Sequence, residues 1–231
     1  MNQQLTLAIQ PQQHAKLEDF IWSNNAIVQK AVDDLLQRQG EHFLYLWGSA
    51  ATGKSHLLQG ICQSYLQNNL AAIYLPLSMV HSLGPACLED LADQQLIALD
   101  DIEAVAGDRE WEQALFALYN QIYDNNTTFL ITSSAYPVAT TPLQLKDLRS
   151  RLNWGISLQL HELADPQKMA LLQHQANIRG IFLTDAVALF IIQRAARDMH
   201  HLSGILDALD NASLSAQRKI TIPFVKQTLQ L

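Results

Sequence analysis

Only two cysteines, Cys62 and Cys87, occur in the 231 residues, and they lie far apart in the sequence. They supply neither a disulfide framework nor a zinc ribbon, and they fit a reducing compartment. No run of about 18 apolar residues is present, as a bilayer-spanning helix would need. The opening MNQQLTLAIQPQQHAK has neither the basic start nor the apolar core of a secretory leader. These absences predict a cytoplasmic protein without a membrane partner. Basic residues are also scarce: 15 Lys and Arg face 22 Asp and Glu, for a net charge of −7. An acidic chain without a basic block is a poor stand-alone ligand for a polyanion, so any contact with DNA is expected to be indirect, through a partner. The eight histidines are scattered except for His200 and His201, which as neighbours point to different sides of a helix and do not form a metal site. Low-complexity runs and internal repeats are lacking as well.

What is present is a 48% hydrophobic chain, long enough to bury a substantial core. Short apolar runs, FLYLW (Phe43–Trp47), AAIYL (Ala71–Leu75), LIALD (Leu96–Asp100), TFLIT (around Phe129) and ISLQL (Ile156–Leu160), have strand length and read as strands covered on both faces. Between them lie helical segments such as HLLQGICQSYLQNN and EWEQALFALYNQIYDN. Alternation of this kind predicts an α/β base built on a five-stranded parallel sheet with right-handed crossovers. After Leu160 the strands stop. ADPQKMALLQHQANIRG, with Asp165 as N-cap, Pro166 in the first turn and Gly180 past the end, begins an all-helical lid. The expected division is a flexible tail over 1–15, a base over 16–160 and a lid over 161–231.

Residues 48–55 are Gly48, Ser49, Ala50, Ala51, Thr52, Gly53, Lys54 and Ser55, which complete G-x-x-x-x-G-K-[ST] between a predicted strand and a predicted helix. That context makes the motif a phosphate cradle: glycines permit the tight loop, successive amides face the phosphate oxygens, and the helix N-terminus adds its dipole. Lys54 is expected to reach the β and γ phosphates and Ser55 to ligate Mg²⁺, with His56 at the edge of the site. LIALDDIEAVAG supplies the acidic arm at the tip of a buried strand. Asp100 is the expected Mg²⁺ residue, through water, and Asp101 the carboxylate that orients an attacking water. The competing reading, a solvated acidic turn, would fit Asp101 and Glu103 alone.

With a lid behind such a base, the pattern resembles the AAA+ ATPases, and more narrowly the replication initiator DnaA and its relatives. GSAATGKSHLLQG, LDDIEAVAGDREWEQALFALYN, FLITSSAYP and LRSRLNWGISLQL carry the likeness, with DMHHLSGILDALDNAS in the lid. Compared with the initiator, the sequence shows neither a large N-terminal extension nor a basic C-terminal helix-turn-helix. This outline and the ending SLSAQRKITIPFVKQTLQL are similar to the Hda family, regulatory inactivators of DnaA.

That resemblance implies DnaA and the polymerase sliding clamp (its beta subunit) as partners. It implies Arg151 as an arginine finger acting in trans on ATP held by DnaA, with Arg149 ancillary; without the resemblance the two arginines read rather as surface residues in salt bridges. The finger reading requires Arg151 to face another molecule rather than the interior. QLTLAI looks like the family's clamp-binding peptide, with Gln4, Leu5, Leu7 and Ile9 as its anchors. The segment FIWSNN, Phe20 to Asn25, is implied in the adenine pocket. Ser134 matches a position that is acidic in the initiator, and His200 matches its sensor arginine; alternatively His200 is a helix-surface histidine. A neutral, shorter imidazole weakens a lid contact to the γ phosphate. ADP or ATP with Mg²⁺ is therefore the expected cofactor, with ADP favoured and slow turnover of its own. The alternatives are a self-acting AAA+ ATPase of helicase-loader type, which the acidic charge disfavours, and a small-molecule P-loop kinase.

Overall fold

The structure is a computed structural model that describes residues 16–89, 91–194, 204–210, 212 and 220–229. The described residues fall into two compact units, the first ending at His161 and the second beginning at Glu162.

The first unit is an α/β layer structure. Five parallel strands, β1 (Phe43–Trp47), β2 (Ala72–Pro76), β3 (Leu96–Asp100), β4 (Phe129–Ser134) and β5 (Ile156–Gln159), form one sheet in the order β2-β3-β4-β1-β5. The helices are α1 (Ala26–Leu36), α2 (Lys54–Gln67), α3 (Leu77–Val80), α4 (Arg109–Asn125) and α5 (Lys146–Leu152). After β1 the chain crosses to the far edge at β2, steps inward through β3 and β4, and then passes β1 to β5. The C-terminal ends of the strands on either side of such a reversal form the crevice of a doubly wound sheet.

Strand alternation distributes the core over both faces. Leu44, Leu46, Ala98 and Ile131 pack with Val28, Val32 and Leu35 of α1 and Leu57, Leu58 and Ile61 of α2. Phe43, Tyr45, Ile97, Leu99 and Leu130 pack on the other side with Trp111, Leu115, Tyr119 and Ile122 of α4 and Leu148 and Leu152 of α5. Each fully buried leucine or isoleucine contributes about 1.5–3 kcal/mol. All five expected strands form, but β5 differs from the doubly covered reading: Ile156, Ser157 and Gln159 are exposed. It is an edge strand, paired only with β1.

Register places the site. Trp47 of β1 lies level with Ser134 of β4, Leu99 of β3 with Thr132, and Pro76 of β2 with Asp100. The phosphate-loop motif, the acidic pair and the end of β4 therefore emerge together at one end of the sheet.

The second unit is helical: α6 (Asp165–Ile178), α7 (Asp185–Arg194), α8 (204–210) and α9 (Ile222–Leu229). Leu172, Ala176, Leu183, Ala188, Ile191, Leu206, Leu209 and Val225 form its core. The N-cap of α6 is Ala164, not Asp165. Gln167 reaches back so that its Oε1 accepts the Ala164 N–H at 2.9 Å, which leaves Asp165 in the first turn, where a carboxylate favours the helix dipole. Among the described residues no helix is long and apolar enough to cross a membrane.

Candidate functional site

The loop from Gly48 to Gly53 connects β1 to α2 and is braced from within. A Cβ on Gly48 would stand 2.4 Å from the Leu160 carbonyl oxygen, so only glycine fits there. The Gly48 N–H donates to Ser134 O at 3.1 Å, and Thr52 Oγ1 donates to Ser49 O at 3.1 Å. Ala51 and Gly53 both take left-handed backbone, with φ of 66° and 92°. Lys54 is buried, and its Nζ donates to the carbonyls of Gly48 at 2.8 Å and Ser49 at 2.9 Å, which draws the ammonium over the loop that precedes it. Gly53 is the N-cap of α2 and brings no side chain to the first-turn amides. A glycine-bearing loop, an overhanging ammonium and a helix start without a side-chain cap fit an anionic phosphate group.

At the end of β3, Asp100 is 1% exposed, and both carboxylate oxygens are engaged. Tyr74 of β2 donates its hydroxyl to Oδ2 at 2.6 Å, and Ser133 of β4 donates to Oδ1. Burial and the neighbouring Asp100 raise the Tyr74 phenol well above its ordinary range, so it remains a donor at all ordinary pH values. Asp101 stands in left-handed conformation at φ 57°, with its N–H donating to Ser133 Oγ at 3.0 Å. Ser78 Oγ donates to Asp101 Oδ2 at 3.5 Å. Burial first, then the charges of Asp100 and Glu103, push the Asp101 carboxyl above its usual range; Lys54 and Ser78 pull the other way. The donor set of Ser55 hydroxyl and Asp100 carboxylate is hard oxygen, as Mg²⁺ requires. With both Asp100 oxygens hydrogen-bonded, a cation here would meet that carboxylate through water.

Alternation along β4 decides which serine faces the acids. The Ser133 hydroxyl bridges Asp100 and Asp101, whereas Ser134 Oγ accepts from the Tyr136 N–H at 3.1 Å and its carbonyl holds Gly48. Ser133 is thus the β4 hydroxyl at the acidic pair. Opposite the phosphate loop, Phe20 lies 4.7 Å from Trp22 and 6.0 Å from His56 between ring centroids. Its edge comes within 3.1 Å of where a Gly53 Cβ would stand. Asn25 is buried, and its amide makes a two-point clasp on His161: Oδ1 accepts the His161 N–H at 2.8 Å and Nδ2 donates to its carbonyl at 3.2 Å. This clasp ties the segment before α1 to the end of β5.

Arg151, on α5, is half-buried. Its Nε donates to Asn120 Oδ1 at 2.8 Å, and its guanidinium carbon lies 4.1 Å from the Trp154 ring centroid and 5.1 Å from that of Phe116. Tyr123, 58% exposed, packs on Trp154 at 4.4 Å. The guanidinium rests over an aromatic shelf of Trp154 and Phe116, and no carboxylate neutralises it among the described residues. Among the described residues neither Arg149 nor Arg151 takes part in a salt bridge.

Structure thus brings together Gly48, Ser49, Ala50, Ala51, Thr52, Gly53, Lys54, Ser55, His56, Phe20, Asp100 and Asp101 at one end of the sheet, and holds Arg151 on α5. Gln4, Leu5, Leu7, Ile9 and His200 lie outside the described residues. The sequence reading missed Tyr74, Phe116, Asn120 and Trp154. The i, i+4 spacing of Phe116 and Asn120 on α4, and the position of Trp154 three residues after Arg151, were the available signals.

A parallel sheet in this order, a phosphate loop after β1, an acidic pair after β3 and a separate helical unit define a P-loop ATPase module of the AAA+ class. A model of the bacterial DnaA ATPase domain matches residues 12–159, and one of the Hda lid domain matches residues 165–229. The chain belongs to the DnaA-related AAA+ family and carries an Hda-type lid. It is 44% identical over 231 residues, the full length of both chains, to a protein of Haemophilus influenzae Rd described as uncharacterized. Domain III of the Thermotoga maritima replication initiation protein DnaA has a similar fold, with a TM-score of 0.81 and 18% identity over 95% of this chain and 97% of that one. AMPPCP-bound DnaA from Aquifex aeolicus gives a TM-score of 0.72 and 19% identity, covering 89% and 68% of the two chains.

Proposed function

We propose that this protein is a regulatory inactivator of DnaA: a nucleotide-bound AAA+ module that supplies Arg151 in trans to DnaA-bound ATP and so prevents re-initiation of replication. The observation that carries the reading is the cationic shelf of Arg151, Trp154, Phe116 and Asn120. A guanidinium without a carboxylate partner among the described residues, pre-oriented at a half-buried surface, suits delivery to the charge that develops on a transferred phosphoryl group. Such fingers accelerate hydrolysis about 10³–10⁵-fold. The nearby exposed Tyr123 adds apolar surface for a partner to cover.

In this reading the chain's own site serves structure more than turnover. Lys54 and the amides of the loop from Gly48 to Ser55 hold the phosphates, Phe20 and His56 border the nucleobase, and Ser55 and, through water, Asp100 would hold Mg²⁺, which neutralises phosphate charge when bound. ADP is the favoured nucleotide, with His200 as the further contact that the family resemblance implies. Asp101 is the carboxylate that would orient water in any slow hydrolysis here. Gln4, Leu5, Leu7 and Ile9 tether the module to the sliding clamp. AMPPCP in the Aquifex aeolicus DnaA structure supports an adenine nucleotide as the ligand class.

The test is a mixing experiment. The protein is added to ATP-loaded DnaA with clamp on DNA, and phosphate release is measured with and without Arg151→Ala. Stimulation by the wild type that the variant loses supports the proposal; wild-type protein that adds nothing to the rate of DnaA alone removes it.

A further inference from the structure

Residues 135–145 join the end of β4 to α5, the helix that carries Arg151. Their position is set from the segment that follows β3 and from Tyr45 of β1. At the start of the connection the Ala135 N–H donates to Glu103 Oε1 at 2.7 Å. In its middle, Tyr45 donates its hydroxyl to Tyr136 O at 2.8 Å and shares a hydrogen bond of 2.8 Å with Thr141 Oγ1. At its end lies Glu112 of α4, a carboxylate only 2% exposed. The Gln144 N–H donates to both its oxygens at 2.9 and 3.0 Å, the Leu145 N–H donates to Oε2 at 2.5 Å, and the Gly107 N–H donates to Oε1 at 2.8 Å.

Leu145 is the N-cap of α5. Glu112 therefore holds the point at which the arginine helix begins. Phe116 and Asn120, one and two helical turns further along the same face of α4, hold the point at which it delivers Arg151. From 112 to 120 is about 12 Å of helix, and from 145 to 151 about 9 Å. α4 thus grips α5 at both ends. A buried carboxylate whose donors are all main-chain amides fixes a backbone with little freedom to drift.

We infer that Glu112 is a positioning residue for Arg151: it sets the entry of α5, and thereby where the guanidinium rests on the shelf. The inference rests on the proposed role of Arg151. Glu112→Gln keeps the volume but presents an amide group to amide donors. Glu112→Asp keeps the charge and falls one methylene short.

Both variants are assayed for nucleotide affinity, for stimulation of ATP-loaded DnaA, and in combination with Arg151→Ala. Retained nucleotide affinity establishes that the base is folded. The expected result is a fall of about tenfold or more in maximal stimulation (about 1.4 kcal/mol) at an unchanged half-saturating DnaA concentration. Each double variant should be no worse than Arg151→Ala alone, because Glu112 acts only through the arginine. Additive losses in the double variants overturn the inference.

The isolated protein provides a second reading that does not depend on DnaA. In ¹⁵N-edited NMR the Arg151 Nε–H signal, assigned as the one lost in Arg151→Lys, should shift or broaden in the Glu112 variants. An unmoved signal overturns the inference. If the wild type fails to stimulate DnaA, the functional reading falls, while this measurement still decides the positioning role.

Discussion

The Tyr74 hydroxyl donates to Asp100 Oδ2 at 2.6 Å, so the carboxylate at the tip of β3 is oriented from β2 rather than from the phosphate loop. With Ser133 on the other oxygen, a nearly inaccessible anion is satisfied entirely by hydroxyl donors. Tyr74→Phe removes one of them without changing the packing. Hydrogen bonds to charged groups contribute about 1.5–3 kcal/mol, and the buried acceptor left behind adds to the loss. A destabilisation of that size is expected in urea unfolding. An unchanged midpoint would show that the carboxylate does not depend on the phenol.

Asp101 gives a pH-dependent prediction. Its carboxyl is raised above 3.8 in the folded state, chiefly by burial and then by Asp100 and Glu103. A raised folded value means that the folded state binds the proton more tightly than the unfolded chain does. Its contribution to stability is therefore full below the unfolded value and is lost as pH rises through the folded one. Asp101→Asn should stabilise the protein at neutral pH, with the gain fading as acid protonates the wild-type group. Thermal melts of both proteins from pH 7 down to about pH 4 provide the check, and a gain that does not change across that range would contradict the assignment.

Most of the base was legible because its signals are local. FLYLW and LIALD are strands at their full length, Phe43–Trp47 and Leu96–Asp100, since buried parallel strands must be apolar on both faces. The phosphate loop was legible because only particular residues can fold so tightly around an anion. ISLQL looks apolar enough for a covered strand, yet edge position depends on the order of strands, which no single segment encodes. The Arg151 shelf was invisible for a related reason: Phe116 and Asn120 read as ordinary positions on an amphipathic helix until the fold brings α5 against α4. Between Ser133 and Ser134 only the strand's facing decides which hydroxyl meets the acids. That facing comes from register, not from residue type.

The two cysteines should behave unequally. Cys62 is buried on α2, its thiol is pushed up to about 12 by desolvation, and its Sγ donates to Ile73 O at 3.6 Å. Cys87 is half-buried, and burial raises its thiol too. Because the thiolate is the reactive species, labelling in mildly alkaline buffer should consume Cys87 first. Cys62 should react only as fast as the base unfolds. Equal labelling rates, followed by mass spectrometry of the two peptides, would refute this.

Gly155 stands between α5 and β5 at φ 73°, where a Cβ would come within 2.0 Å of the Phe43 carbonyl oxygen. Gly155→Ala combines left-handed strain of about 1–2 kcal/mol with a clash against strand backbone that cannot turn aside. A loss above about 3 kcal/mol is expected, seen as a lower denaturant midpoint. A milder loss would mean that β5 can slide away from β1.

Trp154 tests whether the shelf, and not merely the presence of an arginine, matters. The guanidinium carbon sits 4.1 Å from its ring centroid, and the same ring packs on Tyr123 and, edge-on, on Phe43. A cation over an aromatic face is worth about 0.5–2 kcal/mol, depending on desolvation. Trp154→Phe keeps a smaller π face, whereas Trp154→Leu keeps apolar bulk and removes the π face. If orientation by the ring prepares Arg151 for a partner's phosphates, Trp154→Leu should lower maximal stimulation of DnaA roughly 3- to 30-fold, with Trp154→Phe between it and the wild type. Nucleotide affinity should remain unchanged in both, because the phosphate loop does not touch this surface. The opposing possibility has its own signature. If the ring restrained the arginine from reaching across, freeing it would raise stimulation in the reverse order. The sign of the change thus separates a shelf that aims the guanidinium from one that stores it.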